Sequence, residues 1–312
     1  MADLSKFVIR VILFSVIMLV VYFCFIIFCA HFLDSKLTKN LNYRKGSYGH
    51  MYSRLEEIKN IRDIDILFLG ASHAYRGFDV RKYQDEGYSC FNLGSSSQTP
   101  IQTEILLKRY FDQLNPKLIV YDVYPSIFAS DGVESTNDLI SNGDFNKEIV
   151  NLALSQKSIK IVNSLTYALF DKFILKENYI EPRVKGEDTY IDGGFVLKKL
   201  KYNNKRKYLK EYDYKFKSYQ LEAFSNILNF IEQQRTEALL VQIPSTSYRY
   251  KAYADNEMFD SMMNSSNSEY LNYNLTLTLD DSLNFYDDSH LNILGSEIFN
   301  EKLLVDIKER LK

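Results

Sequence analysis

Apolar residues in this chain fall into one long block and a series of short ones. From Val11 to Leu33 every residue except Ser15 and His31 is apolar or tyrosine. That block would span about 35 Å as a helix, enough for a hydrocarbon core of about 30 Å. A secretory signal would have an apolar region of only about 7–15 residues and a small-residue cleavage site. No clear cleavage site follows here, so the pattern predicts an uncleaved transmembrane helix within residues 1–33, with a buried core helix as the alternative.

Residues 34–60 are polar and charged, with Tyr52, Leu55 and Ile58 at helical spacing, which predicts a stalk and a short amphipathic helix. Short continuous apolar runs follow. Ile64–Leu69 ends in Gly70, Tyr88–Leu93 ends at Gly94, Lys117–Val123 stops before Pro125, and Glu237–Ile243 stops at Pro244. Each reads as a buried parallel strand. Leu283–Tyr286 is expected to be a fifth, shorter one. Thr99 can cap a helix with Pro100 at its first position, running through Ile105, Leu106 and Tyr110. Helical patterns cover roughly 146–170, and Ile293–Leu311 reads as a closing amphipathic helix. Strands alternating with helices predict one α/β domain over 61–312, with a mostly parallel sheet and helices on both faces.

The pattern lapses between 171 and 217, a stretch crowded with lysine and tyrosine that includes the basic run Lys198–Lys207. It reads as a solvated insertion, or else as a basic cap facing an anionic polymer or lipid head groups. No internal repeat or low-complexity tract is evident.

Composition narrows the classes. A hydrophobic content of 46% supports a sizeable core, and a formal charge of −2 leaves no footprint for nucleic acid. Of three cysteines, Cys24 and Cys29 lie in the apolar block, so Cys90 has no partner for an intradomain disulfide. Four histidines show no ligand spacing, so no metal is expected. No Gly-Lys-Ser/Thr or Gly-x-Gly-x-x-Gly pattern is present.

In parallel α/β sheets ligands bind outside the carboxyl ends of the strands. Ser72 lies just past the first strand, Gly94 past the second, and Asp287 and His290 past the fifth, more than 200 positions from Ser72. A serine hydroxyl becomes a useful nucleophile when a histidine takes its proton and a carboxylate fixes the histidine tautomer. Taken singly, Ser72 also reads as a turn or cap residue, His290 as a surface histidine, and Asp287 as a helix-start acid. Taken together and in this order, they predict a Ser72–His290–Asp287 triad. Arg76 and Gln98 are candidate ligands for substrate oxygens, and His73 is expected to pack beside the nucleophile.

The chain resembles the SGNH (GDSL-like) hydrolase superfamily, and most of all its membrane-anchored branch. That branch includes the D-alanyl-lipoteichoic acid accessory protein and O-acyltransferases of cell-surface polysaccharides. Gly70-Ala-Ser-His73 is similar to the first block, Phe91-Asn-Leu-Gly94 to the second, and Asp287-Asp-Ser-His290-Leu-Asn to the last. The likeness covers about residues 61–125 and 237–312. It implies a three-layer αβα sandwich with a flavodoxin-like sheet, Ser72 as nucleophile, Asp287 and His290 as its partners, and an oxyanion hole from the Ser72 and Gly94 amides. Two positions depart from the family pattern. Ala71 stands where an aspartate is usual, and Val120-Tyr-Asp-Val-Tyr-Pro-Ser126 lacks the asparagine of the third block.

The function expected is a membrane-anchored esterase or acyl transferase acting on a cell-envelope glycan, with no cofactor. The resemblance also implies a multi-pass membrane acyltransferase as donor partner. The alternative is a degenerate domain that binds polymer or scaffolds an envelope-modification or export complex. The catalytic domain is expected outside the membrane, where envelope polymers are assembled. The charge count points the other way, because Lys6 and Arg10 precede the span while Lys36, Lys39, Arg44 and Lys45 follow it.

Overall fold

A computed structural model of the chain describes residues 2–33, 37–38, 40–41, 43, 45–46, 48–176, 178–204 and 209–311. Lys36, Lys39 and Arg44 of the charge count, and residues 205–207 of the basic run, lie outside the described residues. The chain divides into two compact units, one of Met1–Lys45 with Thr136–Ile180 and one of Gly46–Ser135 with Glu181–Lys312.

The larger unit is an α/β domain. Its strands are β1 (Ile66–Leu69), β2 (Cys90–Asn92), β3 (Leu118–Asp122), β4 (Val184–Lys185), β5 (Asp188–Ile191), β6 (Phe195–Lys198), β7 (Glu237–Gln242) and β8 (Glu269–Asn272). Five of them form a wholly parallel sheet in the order β2-β1-β3-β7-β8. Both faces of its centre are buried, which explains why β1 and β3 are continuous apolar runs. Ile66, Phe68, Val120, Leu239 and Val241 point to one face and meet Phe78, Phe299, Leu303 and Ile307. Leu67, Ile119, Tyr121 and Leu240 alternate with them and serve the other face, where Phe224 packs on Tyr121 and Phe230 on Phe111. Helices Pro100–Leu114 and Ser218–Gln233 cover this face. The Thr99 cap with Pro100 at the helix start is present as a capping box with Gln102.

Three expectations change. The fifth strand of the sheet is Glu269–Asn272, whereas Phe285 forms only an isolated bridge to Leu291. A tetrapeptide of Leu-Asn-Phe-Tyr can close a loop as well as pair in a sheet, and its sequence does not distinguish the two. The 171–217 insertion, where the pattern lapses, holds an antiparallel sheet of β4, β5 and β6. The supposed stalk is also divided: from Gly46 on, the chain belongs to the α/β unit. There Met51, Leu55 and Ile58 are buried, and Arg54 donates to the Gly194 carbonyl.

The smaller unit contains the helix Ala2–Phe32, followed at a distance in sequence by the helices Lys147–Ser155 and Ile159–Phe170. These agree with the helical pattern over 146–170. The first helix is apolar and long enough to cross a membrane. Ile26 and Leu41 pack with Tyr167, and the Tyr22 hydroxyl donates to Asn163 at 2.5 Å.

Candidate active site

The nucleophile candidate occupies a turn that sterics hold. Gly70 ends β1 with φ +140°, and a Cβ there would lie 2.9 Å from both Ala74 Cβ and Asp122 Cβ. Ser72 then opens the helix Ser72–Gly77, its side chain at the carboxyl edge of the sheet. The opposite half of the site comes from the loop after Phe285. The Phe285–Leu291 bridge and the Tyr286 amide, which donates to the His290 carbonyl at 3.1 Å, close that loop.

The two halves meet. Ser72 Oγ lies 2.7 Å from His290 Nε2, and His290 Nδ1 lies 3.0 and 3.1 Å from the Asp287 carboxylate oxygens. A carboxylate beside Nδ1 fixes the proton there, which leaves Nε2 as the acceptor for the serine hydroxyl. Asp287 is itself oriented, since its Oδ1 accepts the Ser289 and His290 backbone amides, each at 2.8 Å. Partial burial works to raise the Asp287 pKa. The hydrogen bond and charge of the His290 ring, with those two amides, outweigh it and hold the carboxyl well below the usual range.

The His290 ring is also clamped by stacking. Tyr286 lies on it at 5.3 Å between centroids and 8° between planes, and His73 at 4.6 Å and 16°. His73 stacks in turn on Tyr124. Burial, and then the charge of His290, drive the His73 pKa well below its ordinary value, so the ring beside the candidate base is neutral.

The other nominated residues are each held by a partner within the protein. The Gly94 amide donates to Asn92 Oδ1 at 3.1 Å, so it is engaged within the protein rather than offered to an oxyanion. Gly94 is needed for close packing, because a Cβ there would sit 3.0 Å from Ala74 Cβ and 3.1 Å from the Ala71 and Gly70 carbonyls. Arg76 forks onto Asp188 of β5 at 2.9 and 2.8 Å, which ties the antiparallel sheet to the nucleophile's helix. Gln98 is fully buried, accepting from Ser95 and donating to Thr103. A long polar side chain near a sheet edge is as readily used to bind the protein to itself as to bind a ligand.

Two features escaped the sequence reading. Arg249, on the helix Ser247–Ala252 after β7, pairs with Asp288 at 3.2 Å and stacks on Tyr212. Its signal was its place beyond Pro244, a strand end for which no residue was nominated. A cavity of about 330 Å³ also adjoins Asp287 and Asp288, lined by Tyr202, Tyr248, Tyr286, Lys201, Asn203 and Asn204. A larger one of about 650 Å³ lies at the opposite, amino ends of β7 and β8, beside Glu237 and Glu269, away from these groups. No cluster able to hold a metal occurs among the described residues.

No family model matches the chain, and no curated protein matches it by sequence. Solved structures are similar at low identity. One is a candidate acylhydrolase from Bacteroides fragilis, 10% identical, covering 85% of this chain and 99% of that one, with a TM-score of 0.43. Another is a GDSL-like lipase from Bacteroides thetaiotaomicron, 10% identical, covering 85% and 100%, with a TM-score of 0.42. A third is a psychrotrophic esterase from Pseudoalteromonas, 12% identical, covering 80% and 99%, with a TM-score of 0.36. Likeness at this level carries no activity across, and the chemistry rests on the geometry of the site.

Proposed function

We propose that this chain is a membrane-anchored serine esterase or O-acyl transferase acting on an acylated glycan of the cell envelope. The observation that carries the reading is the Ser72–His290–Asp287 relay, with hydrogen-bond distances of 2.7 and 3.0 Å. His290 Nε2 takes the Ser72 hydroxyl proton as Oγ bonds to the ester carbonyl carbon. Asp287 stabilises the imidazolium and is not itself protonated. The tetrahedral intermediate collapses, its C–O bond breaks, and the leaving alkoxide receives the proton from His290. Water or a sugar hydroxyl then attacks the acyl-serine by the same steps in reverse.

The amide of Ser72, at the start of its helix, serves the oxyanion. With the Gly94 amide engaged by Asn92 and the third-block asparagine absent, the hole has two donors fewer than the family pattern. Loss of one donor costs about 10²–10³ in rate, so a slow enzyme is expected. The cavity beside Asp287 supports a glycan substrate, since tyrosine faces with asparagine amides and a lysine suit a polyhydroxylated ligand. A multi-pass acyltransferase in the same membrane would supply the acyl group, and the site would face the extracytoplasmic side.

The occupied Gly94 amide favours a second reading, a degenerate domain that binds envelope polymer without turnover. Hydrolysis of p-nitrophenyl acetate and of an O-acetylated polysaccharide by the full-length protein in nanodiscs separates the two. Turnover abolished by Ser72→Ala is expected. Polysaccharide binding that is unchanged by Ser72→Ala, with no turnover by either form, would establish the second reading.

A further inference from the structure

The smaller unit carries an uncovered apolar face besides the first helix. The helix Ile159–Phe170 has two apolar sides instead of one. Its protein side buries Ile161, Leu165 and Ala168. Its other side carries Ile159, Val162, Thr166 and Leu169 and continues to Phe173, a spacing of three and four residues that lies along one face of a helix. Ile159 is 55% exposed and Phe173 57%. Leu154, just before the helix, and Ile174, just after Phe173, are exposed as well. Phe173 meets the Phe145 ring at 6.3 Å between centroids, while Leu154, Ile159 and Ile174 stay more than half exposed.

The charges around this stripe have one sign. From 157 to 176 the exposed ionisable residues are Lys157, Lys160, Lys172 and Lys176. The one acid there, Asp171, is buried and paired with Lys45 and Tyr43. Lysines with long apolar stems beside exposed leucine, isoleucine and phenylalanine suit the boundary between acyl chains and anionic head groups.

The first helix sets the depth. Residues 3–21 are exposed throughout, whereas from Tyr22 on the helix is partly covered. Tyr22 donates to Asn163, and His31 Nδ1 lies 3.3 Å from the Tyr167 hydroxyl. The first helix's uncovered apolar stretch, Val11–Val21, follows Lys6 and Arg10 and would measure about 16 Å as a helix, roughly half of a hydrocarbon core. The remaining depth falls to the stretch from Tyr22 on, where the helix Ile159–Phe170 meets it.

We propose that the segment 154–176 is an interfacial platform that lies on the bilayer around the exit of the first helix. Its outer stripe enters the acyl boundary and its lysines contact anionic head groups. The inference rests on the first helix being a membrane segment, and the test reports on both. The full-length protein is prepared with Cys24, Cys29 and Cys90 replaced by alanine and one cysteine introduced. It is labelled with an environment-sensitive dye and reconstituted in vesicles of phosphatidylcholine and phosphatidylglycerol. A dye at Phe173→Cys is expected to show blue-shifted emission and to lose most of its intensity to nitroxide-labelled phospholipid, as does one at Val16→Cys in the first helix. A dye at Glu232→Cys supplies the aqueous reference. Should Phe173→Cys misfold, Leu169→Cys reads the same face.

Quenching at 173 by aqueous iodide and not by lipid would overturn the platform while the anchor stands. A blue-shifted dye reached by neither quencher would overturn it in favour of a protein partner. Loss of lipid quenching at position 16 would overturn the anchor itself.

Discussion

The two halves of the candidate site are held in place by different physics. On the nucleophile's side, Ser72 sits at a strand-to-helix turn fixed by close contact, where Gly70 leaves no room for a Cβ and Gly94 packs against the turn. On the histidine's side there is no regular structure between Phe285 and Asn292, and the loop is held by polar bonds. Asp287 accepts two backbone amides within the loop. Asn292 caps the final helix through Oδ1 and donates from Nδ2 to the Leu283 and Lys201 carbonyls. Steric contact is short-ranged and unaffected by pH, whereas a hydrogen-bonded loop depends on the protonation of its acceptors. One half of the site should therefore fail on added volume, and the other on lost acceptors.

The largest effect is expected where the halves meet. Ser72→Ala or His290→Ala should lower kcat about 10⁴-fold or more, and the double variant should be little worse than either, because members of a relay act as a unit. Steady-state kinetics on one ester substrate checks this. Asp287→Asn should cost about 10⁴-fold, because the amide favours the wrong His290 tautomer even though the stacked rings of Tyr286 and His73 still hold the ring plane.

Stability changes sharpen the contrast. Gly70→Ala forces a side chain into a left-handed backbone with Cβ contacts of 2.9 Å. It should cost on the order of 1–3 kcal/mol, measured by urea denaturation. Asn292→Ala removes a helix cap and the side-chain bonds to the Leu283 and Lys201 carbonyls, with an expected loss of about 1–2 kcal/mol. The two costs should add, because the residues share no bonding partner.

A pH slope separates the two halves further. Burial pushes the Asp122 carboxyl, beneath Gly70, up to about 8 from an ordinary 3.8, the Ile243 amide only partly offsetting it. The fold thus holds a proton that the unfolded chain releases, so this group's contribution is full at acid pH and is lost as pH rises through about 8. Asp122→Asn should flatten that alkaline fall. Asp287, with its lowered pKa, has the opposite sign: its contribution is present above about 3.8 and is lost as pH falls below it. Thermal melting across pH follows both.

How much of this was legible in the chain follows the same division. The buried strands β1, β3 and β7 were visible as apolar runs because both their faces are covered, and Ser72 was visible because it follows one of them. His290 and Asp287 were visible by residue type and order. The strand β8, Glu-Tyr-Leu-Asn, was not, because an edge strand needs no continuous apolar run. The roles of Arg76, Gln98 and Gly94 were not legible either. Each was nominated from its position along the chain, and each is engaged by a partner that only the folded packing supplies: Asp188 from more than a hundred residues away, and Thr103 and Asn92 from close by. The antiparallel strands β4–β6 were hidden among lysines and tyrosines whose outward-facing positions dominate the composition.

The most direct test of the central claim is labelling of the full-length protein in membranes with a fluorophosphonate, with the adduct located by mass spectrometry. The account predicts a phosphonylated Ser72 whose formation is lost in His290→Ala, because the hydroxyl reacts only when His290 Nε2 takes its proton. A folded protein that stays unlabelled at Ser72, or one labelled equally with and without His290, would contradict it.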